Sequence, residues 1–230
     1  MKLVLLTGFM GDPLDWFPTT AALVKFGIQD VSILSAPYRA CLPAEPFVLC
    51  GYSMGGRVAI SLANTAGCRG VISVSSSPGI RDESEARGRA DVDERIAQRL
   101  ECITDRAELR SFLTEWWSQP VFGGSTLGAE EKERLIASRL KMDPCELSSH
   151  LREFGPGVMP SLWDQWSALP IPKLAIAGER DPKYVALAQE MGECQIVAES
   201  GHQIPLEQPE RLAQLIANFF AVSAKPSVVN

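Results

Sequence analysis

Ser53 sits in Gly51-Tyr52-Ser53-Met54-Gly55, between the apolar run Phe47-Val-Leu-Cys50 and the helix-like stretch Gly56-Arg57-Val-Ala-Ile60. A serine on a tight turn between a buried strand and a helix is presented for nucleophilic or proton-transfer chemistry. The glycines allow the turn to be sharp, and the helix N-terminus beyond it favours developing negative charge. A hydroxyl needs an imidazole to take its proton. The chain has two histidines. His150 lies within a helical pattern among polar neighbours and is expected to face solvent. His202, in Ser200-Gly201-His202-Gln203, follows the last strand-like run and is expected on the same sheet edge as Ser53. A carboxylate is needed to hold the imidazole. Asp181, in Gly178-Glu179-Arg180-Asp181-Pro182, is favoured over its neighbour Glu179. The order Ser53, Asp181, His202 then defines an ordered set that a turn aspartate alone does not explain. Two backbone donors are needed for an oxyanion. Met54, the residue after the serine, supplies one, and Phe9 in the glycine-rich segment Thr7-Gly8-Phe9-Met10-Gly11 is expected to supply the other.

These residues must be held by strands and helices in alternation. Buried-type strands are read at 3–6, 31–34, 47–50, 70–75, 172–177 and 194–198, with helices at 15–26, 56–66 and from Pro209 onward. Short connections between alternating strands and helices predict a mostly parallel sheet flanked by helices. With the serine turn, this is the α/β-hydrolase fold. From about 81 to 167 no strand pattern occurs. Asp105 and Glu108 open a helix carrying Leu109, Phe112, Leu113, Trp116 and Trp117, and Asp143-Pro144 opens another that stops near Gly155. The expected organisation is a discontinuous core, 1–80 and 168–225, and a helical lid, 81–167, lying over Ser53 at the carboxyl ends of the strands. The tail after Ala224 is expected to fray.

Composition narrows the function classes. Of 230 residues 46% are hydrophobic and 22% charged, ordinary values for a globular enzyme-sized domain. A net charge of −6 without a basic stripe argues against nucleic acid. No apolar run reaches bilayer length, and Leu3–Leu6 is too short for a signal core, so no membrane role is expected. Cysteines 41, 50, 68, 102, 145 and 194 are scattered without ligand spacing, which fits reduced thiols in a cytoplasmic protein. Neither metal nor organic cofactor is implied.

Several segments together resemble the 2-succinyl-6-hydroxy-2,4-cyclohexadiene-1-carboxylate (SHCHC) synthase family of menaquinone biosynthesis. They are Gly8-Phe9, Gly51 to Arg57, Ser77-Pro-Gly-Ile80, Trp116-Trp-Ser-Gln-Pro-Val-Phe122, Leu135-Ile-Ala-Ser-Arg139, Gly178 to Tyr184, and Gly201-His202 with Glu207-Gln-Pro209. The resemblance spans nearly the whole chain. It implies a lyase that eliminates pyruvate from a tricarboxylate, with Ser53 and His202 as base and Asp181 holding the imidazole. It further implies that Phe9 and Met54 stabilise an enolate. Arg57, Arg89 and Arg139 match the family's substrate-binding arginines, and Tyr52, Trp116 and Trp117 its pocket aromatics. The partner expected is thus a small polycarboxylate. Read without the resemblance, Arg57, one turn beyond Ser53, is either within reach of the pocket or a surface arginine, whereas Arg89 and Arg139 read as members of solvated helix faces. Two positions depart from the family pattern: Thr7 stands where histidine is usual, and Trp117 where tyrosine is common. The rival readings are a serine hydrolase working through an acyl-enzyme and a non-catalytic binding protein that retains the fold.

Overall fold

A computed structural model describes residues 1–38 and 42–224. Cys41 and the tail expected to fray lie outside the described residues. Among the described residues the sheet has six strands, β1 (Lys2–Leu6), β2 (Val31–Leu34), β3 (Phe47–Tyr52), β4 (Cys68–Val74), β5 (Lys173–Gly178) and β6 (Cys194–Val197). All pair in parallel, in the order β2-β1-β3-β4-β5-β6. β1, β3 and β4 are almost wholly buried, as a sheet covered on both faces requires. The chain moves outward from β1 to β2, then returns to the other side of β1 to form β3. The carboxyl ends of β1 and β3 therefore flank a topological switch point, where open α/β sheets form their binding crevice. The register Leu6↔Gly51 sets the two chain exits side by side there.

One face is covered by α1 (Phe17–Val24) and α10 (Pro209–Ser223), which bury Leu23, Leu212, Ile216 and Phe219. α2 (Met54–Leu62) and α8 (Pro182–Glu190) cover the other. The helix expected over 15–26 is divided: Asp12 caps a 3-10 turn at Pro13–Trp16, and α1 begins afresh at Phe17. Pro18 explains the restart, because proline has no N–H to continue a helix and favours its first turn. The expected apolar stripe also ends early, since Phe26 is exposed.

Beyond β4 come α3 (Glu83–Glu101), α4 (Arg106–Trp117), a 3-10 turn at Pro120–Phe122, α5 (Ala129–Arg139) and α6 (Pro144–Phe154). Asp105 accepts from the Ala107 and Glu108 N–H groups at 2.8 and 2.9 Å, and Asp143 from that of Cys145, so both helices start where their caps stand. α3 and α6 pack together and are joined by Arg152 to Glu94 and Glu101. α7 (Trp163–Ala168) belongs with the sheet layers instead: Gln165 donates to the Ile60 carbonyl at 2.6 Å, and Trp163 and Trp166 are buried. Lacking a strand pattern, that stretch reads in the sequence as lid.

Candidate active site

β3 ends in a turn whose geometry only close backbone approach permits. A Cβ on Gly51 would lie 2.1 Å from the Gly55 carbonyl oxygen, and one on Gly55 would lie 2.3 Å from that of Thr7. Ser53 itself has φ 54° and ψ −117°, a conformation costing roughly 1–3 kcal/mol for a residue with a side chain. Hydrogen bonds on both sides of the residue hold it there. Its N–H donates to Val74 O at 2.8 Å, and its carbonyl accepts from Ser76 Oγ at 2.6 Å, from Gly56 N at 3.0 Å and from Arg57 N at 3.4 Å.

His202 Nε2 lies 3.2 Å from Ser53 Oγ, and His202 Nδ1 lies 2.7 Å from Asp181 Oδ2. An ionised carboxylate only accepts, so Nδ1 carries the proton and Nε2 offers its lone pair to the serine hydroxyl. Asp181 and His202 are buried. Glu179 is exposed and accepts instead from the Glu199 N–H, which separates the two carboxylates that the sequence leaves in competition. The imidazole is walled by the rings of Tyr184, Tyr52 and Phe122 at centroid distances of 4.8, 5.5 and 5.8 Å.

Glu207 holds the histidine loop. Its carboxylate accepts from Gly201 N at 2.5 Å and Gln203 N at 3.0 Å, the two residues flanking His202, and also from Ser200 Oγ at 3.4 Å. A glutamate two residues before a helix-starting proline carries no visible signal for this task. Burial, and then the charges of Asp15 and Glu207, raise the Tyr52 pKa well above its ordinary value, so its phenol stays neutral.

Ser53 opens onto two adjoining cavities. The larger, about 410 Å³, is lined by Phe9, Met54, Arg57, Arg89, Trp116, Tyr184 and His202, among others. Arg57 is 6% exposed, and its Nε has no hydrogen-bond partner. Burial lowers its pKa, and Arg89 nearby adds to the effect. Arg89 is oriented by buried Asp93, whose carboxylate accepts from its Nε at 2.8 Å. Exposed Lys183 adds a further cation at the rim. Lys183, Tyr184 and Asp93 belong to no motif that marks their types for the pocket.

The smaller cavity, about 50 Å³, lies among Thr7, Tyr52, Trp116, Trp117, Arg139 and Asp15. Both departures from the family pattern, Thr7 and Trp117, line it, and both Thr7 Oγ1 and Trp117 Nε1 are buried without partners. Arg139 differs from the solvated face that its helix pattern suggests. It is 2% exposed, and its donors go to Met10 O at 2.7 Å, Ser138 Oγ at 2.6 Å, and both Asp15 oxygens at 2.6 and 2.5 Å. His150 is half-buried on the far side of the glycine-rich loop, away from Ser53. Among the described residues no cluster of His, Cys, Asp and Glu could hold a metal ion, and no helix is long and apolar enough to cross a membrane.

A family model described as the alpha/beta hydrolase family matches residues 3–215. The chain is 31% identical over 241 residues to 2-succinyl-6-hydroxy-2,4-cyclohexadiene-1-carboxylate synthase of Salmonella paratyphi B, covering 94% of this chain and 93% of that protein. The chain belongs to the SHCHC synthase family of α/β-hydrolases. A putative enzyme of the same name from Bacillus subtilis is 32% identical over 180 residues, covering 74% of this chain but only 64% of its own length. Among solved structures, MenH from S. aureus superposes with a TM-score of 0.82 at 25% identity, covering 98% of this chain and 95% of that one. A malate-bound thermophilic esterase from Thermogutta terrifontis has a TM-score of 0.66 at 19% identity, covering 98% and 91%. That second likeness concerns the fold alone. Membership places the chain among enzymes of the superfamily, and the hydrolases sharing the fold make the contents of the pocket the discriminating feature.

Proposed function

We propose that this chain is the menaquinone-pathway lyase that eliminates pyruvate from 2-succinyl-5-enolpyruvyl-6-hydroxy-3-cyclohexene-1-carboxylate to give SHCHC. Ser53 passes its proton to His202 Nε2 as it takes the ring proton, and Asp181 stabilises the imidazolium. Electron density moves onto the oxygen conjugated with the ring carbon, where the N–H groups of Phe9 and Met54 stabilise it. The bond to the enolpyruvyl oxygen then breaks, and the imidazolium returns the proton to the departing group. Tyr52, Trp116 and Trp117 wall the ring.

The observation that carries the reading is Arg57. A guanidinium buried beside the reacting serine with its Nε unpartnered costs several kcal/mol unless an anion joins it. An ester or thioester chain brings no such anion, whereas a tricarboxylate does. Arg89 offers a second, pre-oriented fork. Arg139 adds positive charge at the inner end, already offset by Asp15.

The test is pyruvate release from freshly generated precursor by wild type, Ser53→Ala and Arg57→Ala, with nitrophenyl esters assayed alongside. Expected are fast release by wild type, at least a ~100-fold loss in Ser53→Ala, a KM raised about tenfold or more in Arg57→Ala, and negligible ester cleavage. Release no faster than in buffer, with Ser53-dependent ester cleavage, would leave a serine hydrolase instead.

A further inference from the structure

The glycine-rich loop after β1 is gripped from the lid at several points. Its turn closes on itself through Gly11 N–H to Gly8 O at 3.0 Å, and Met10 adopts φ 55°, a left-handed conformation that methionine does not favour. The Met10 carbonyl accepts from Arg139 Nε at 2.7 Å. The same guanidinium spans both oxygens of Asp15, and Asp15 Oδ2 in turn accepts from the Asp12 N–H at 3.0 Å. Asp12 caps the following turn through Leu14 N–H at 2.9 Å and pairs with Lys141 at 2.6 Å. Phe9 meets Trp116 edge to face, with centroids 5.1 Å apart. The two acids thus belong to the loop and the turn after it. The two bases belong to the end of α5 and the residues just past it.

We propose that Asp15 and Arg139 are a positioning pair: by fixing the Met10 carbonyl, Arg139 sets the orientation of the loop that presents the Phe9 N–H, so that seating the lid and assembling the oxyanion hole are one event. Arg139 then acts through the loop rather than by gripping substrate, because all three of its nitrogens already donate to protein oxygens. Asp15 is the piece that makes this possible. It neutralises a guanidinium whose side chain is 3% exposed, and it ties that charge to the turn that Asp12 caps. The inference rests on the reading of Ser53 and Phe9 above, but not on the identity of the substrate.

A neutral aryl phosphonate tests it, since attack by Ser53 builds charge on the phosphoryl oxygen in the hole and needs no help from Arg57 or Arg89. The rate constant for phosphonylation is measured per titrated active site, so that any misfolded fraction drops out. Asp15→Asn and Arg139→Lys are expected to slow phosphonylation about tenfold or more, as small misplacements do. They should lower kcat for pyruvate release in parallel, with KM little changed. Lys141→Ala, on the exposed side of the latch, should lower the same rate constant to a smaller degree without loss of folded protein. Wild-type phosphonylation rates in all three variants would overturn the proposal, and a raised KM in Arg139→Lys with unchanged phosphonylation would make Arg139 a substrate ligand. A wild-type chain inert to the phosphonate, together with wild-type pyruvate release by Ser53→Ala, would overturn the reading of Ser53 itself, and the proposal with it.

Discussion

Glu207 shows how much of this site depends on side chains that never meet a substrate. Two backbone N–H groups on either side of His202 converge on its carboxylate, so the imidazole is placed by a residue five positions later. Glu207→Gln keeps the volume but turns an amide NH₂ toward one of those donors. We expect kcat to fall about tenfold with KM unchanged, in line with one lost charge-assisted hydrogen bond; steady-state kinetics checks it, and an unchanged kcat would exclude the positioning role. At this scale the sequence was informative where chemistry is tied to a motif. The convergence of Ser53, Asp181 and His202 was legible because strand ends and chain order constrain them. Glu207 and Asp15 were not, because their partners are backbone groups or side chains brought near only by the folded chain.

Among the elements, the serine turn adds close packing on the β1 exit to the ladder that already joins β1 and β3. Gly55 lies so close to the β1 exit that an added Cβ would meet the carbonyl oxygens of both Thr7 and Leu6, at 2.3 and 2.6 Å. Backbone atoms cannot swing aside as a flexible side chain can. Gly55→Ala should therefore shift the glycine-rich loop, reducing phosphonylation of Ser53 and destabilising the fold by about 1–3 kcal/mol, the range seen for overpacking. Denaturant melts and the phosphonylation rate check both parts. Strand positions were readable because every central strand is an apolar run, the mark of a sheet covered on two faces. The division of the helix at 13–24 was not read, since the apolar spacing runs straight through it and only Pro18 and the Asp12 cap reveal the restart. α7 was also misplaced, because six residues with two tryptophans look alike whether they pack on a lid or on a sheet.

Taken whole, the molecule sets a crevice at the switch point between β1 and β3 beneath a helical cover that combines buried apolar side chains such as Leu100, Leu113 and Leu151 with exposed charge pairs. Its exposed pairs, such as Arg152 with Glu94 and Glu101, are of the kind that salt weakens. His150 gives this cover a pH dependence. Burial holds its pKa below the ordinary 6.5, while Glu146 and Glu153 oppose the shift. A base depressed in the folded state contributes stability that is present above its unfolded pKa and lost as pH falls through the folded value. The thermal midpoint should therefore drop as pH is lowered below about 6.5, and His150→Gln should flatten that part of the profile; identical profiles would remove His150 from the account. The run of helices between β4 and β5 was legible from the missing strand pattern. Its grip on the glycine-rich loop was not, since it depends on where the end of α5 lands.

Elimination and hydrolysis of the same precursor both release pyruvate, but only elimination leaves a conjugated ring diene. The decisive measurement follows pyruvate and diene absorbance together during turnover of the precursor by wild type and Ser53→Ala. One diene is expected per pyruvate released, with both signals falling to the buffer rate in Ser53→Ala. Pyruvate released without diene, or both signals surviving the loss of the Ser53 hydroxyl, would contradict the proposed reaction.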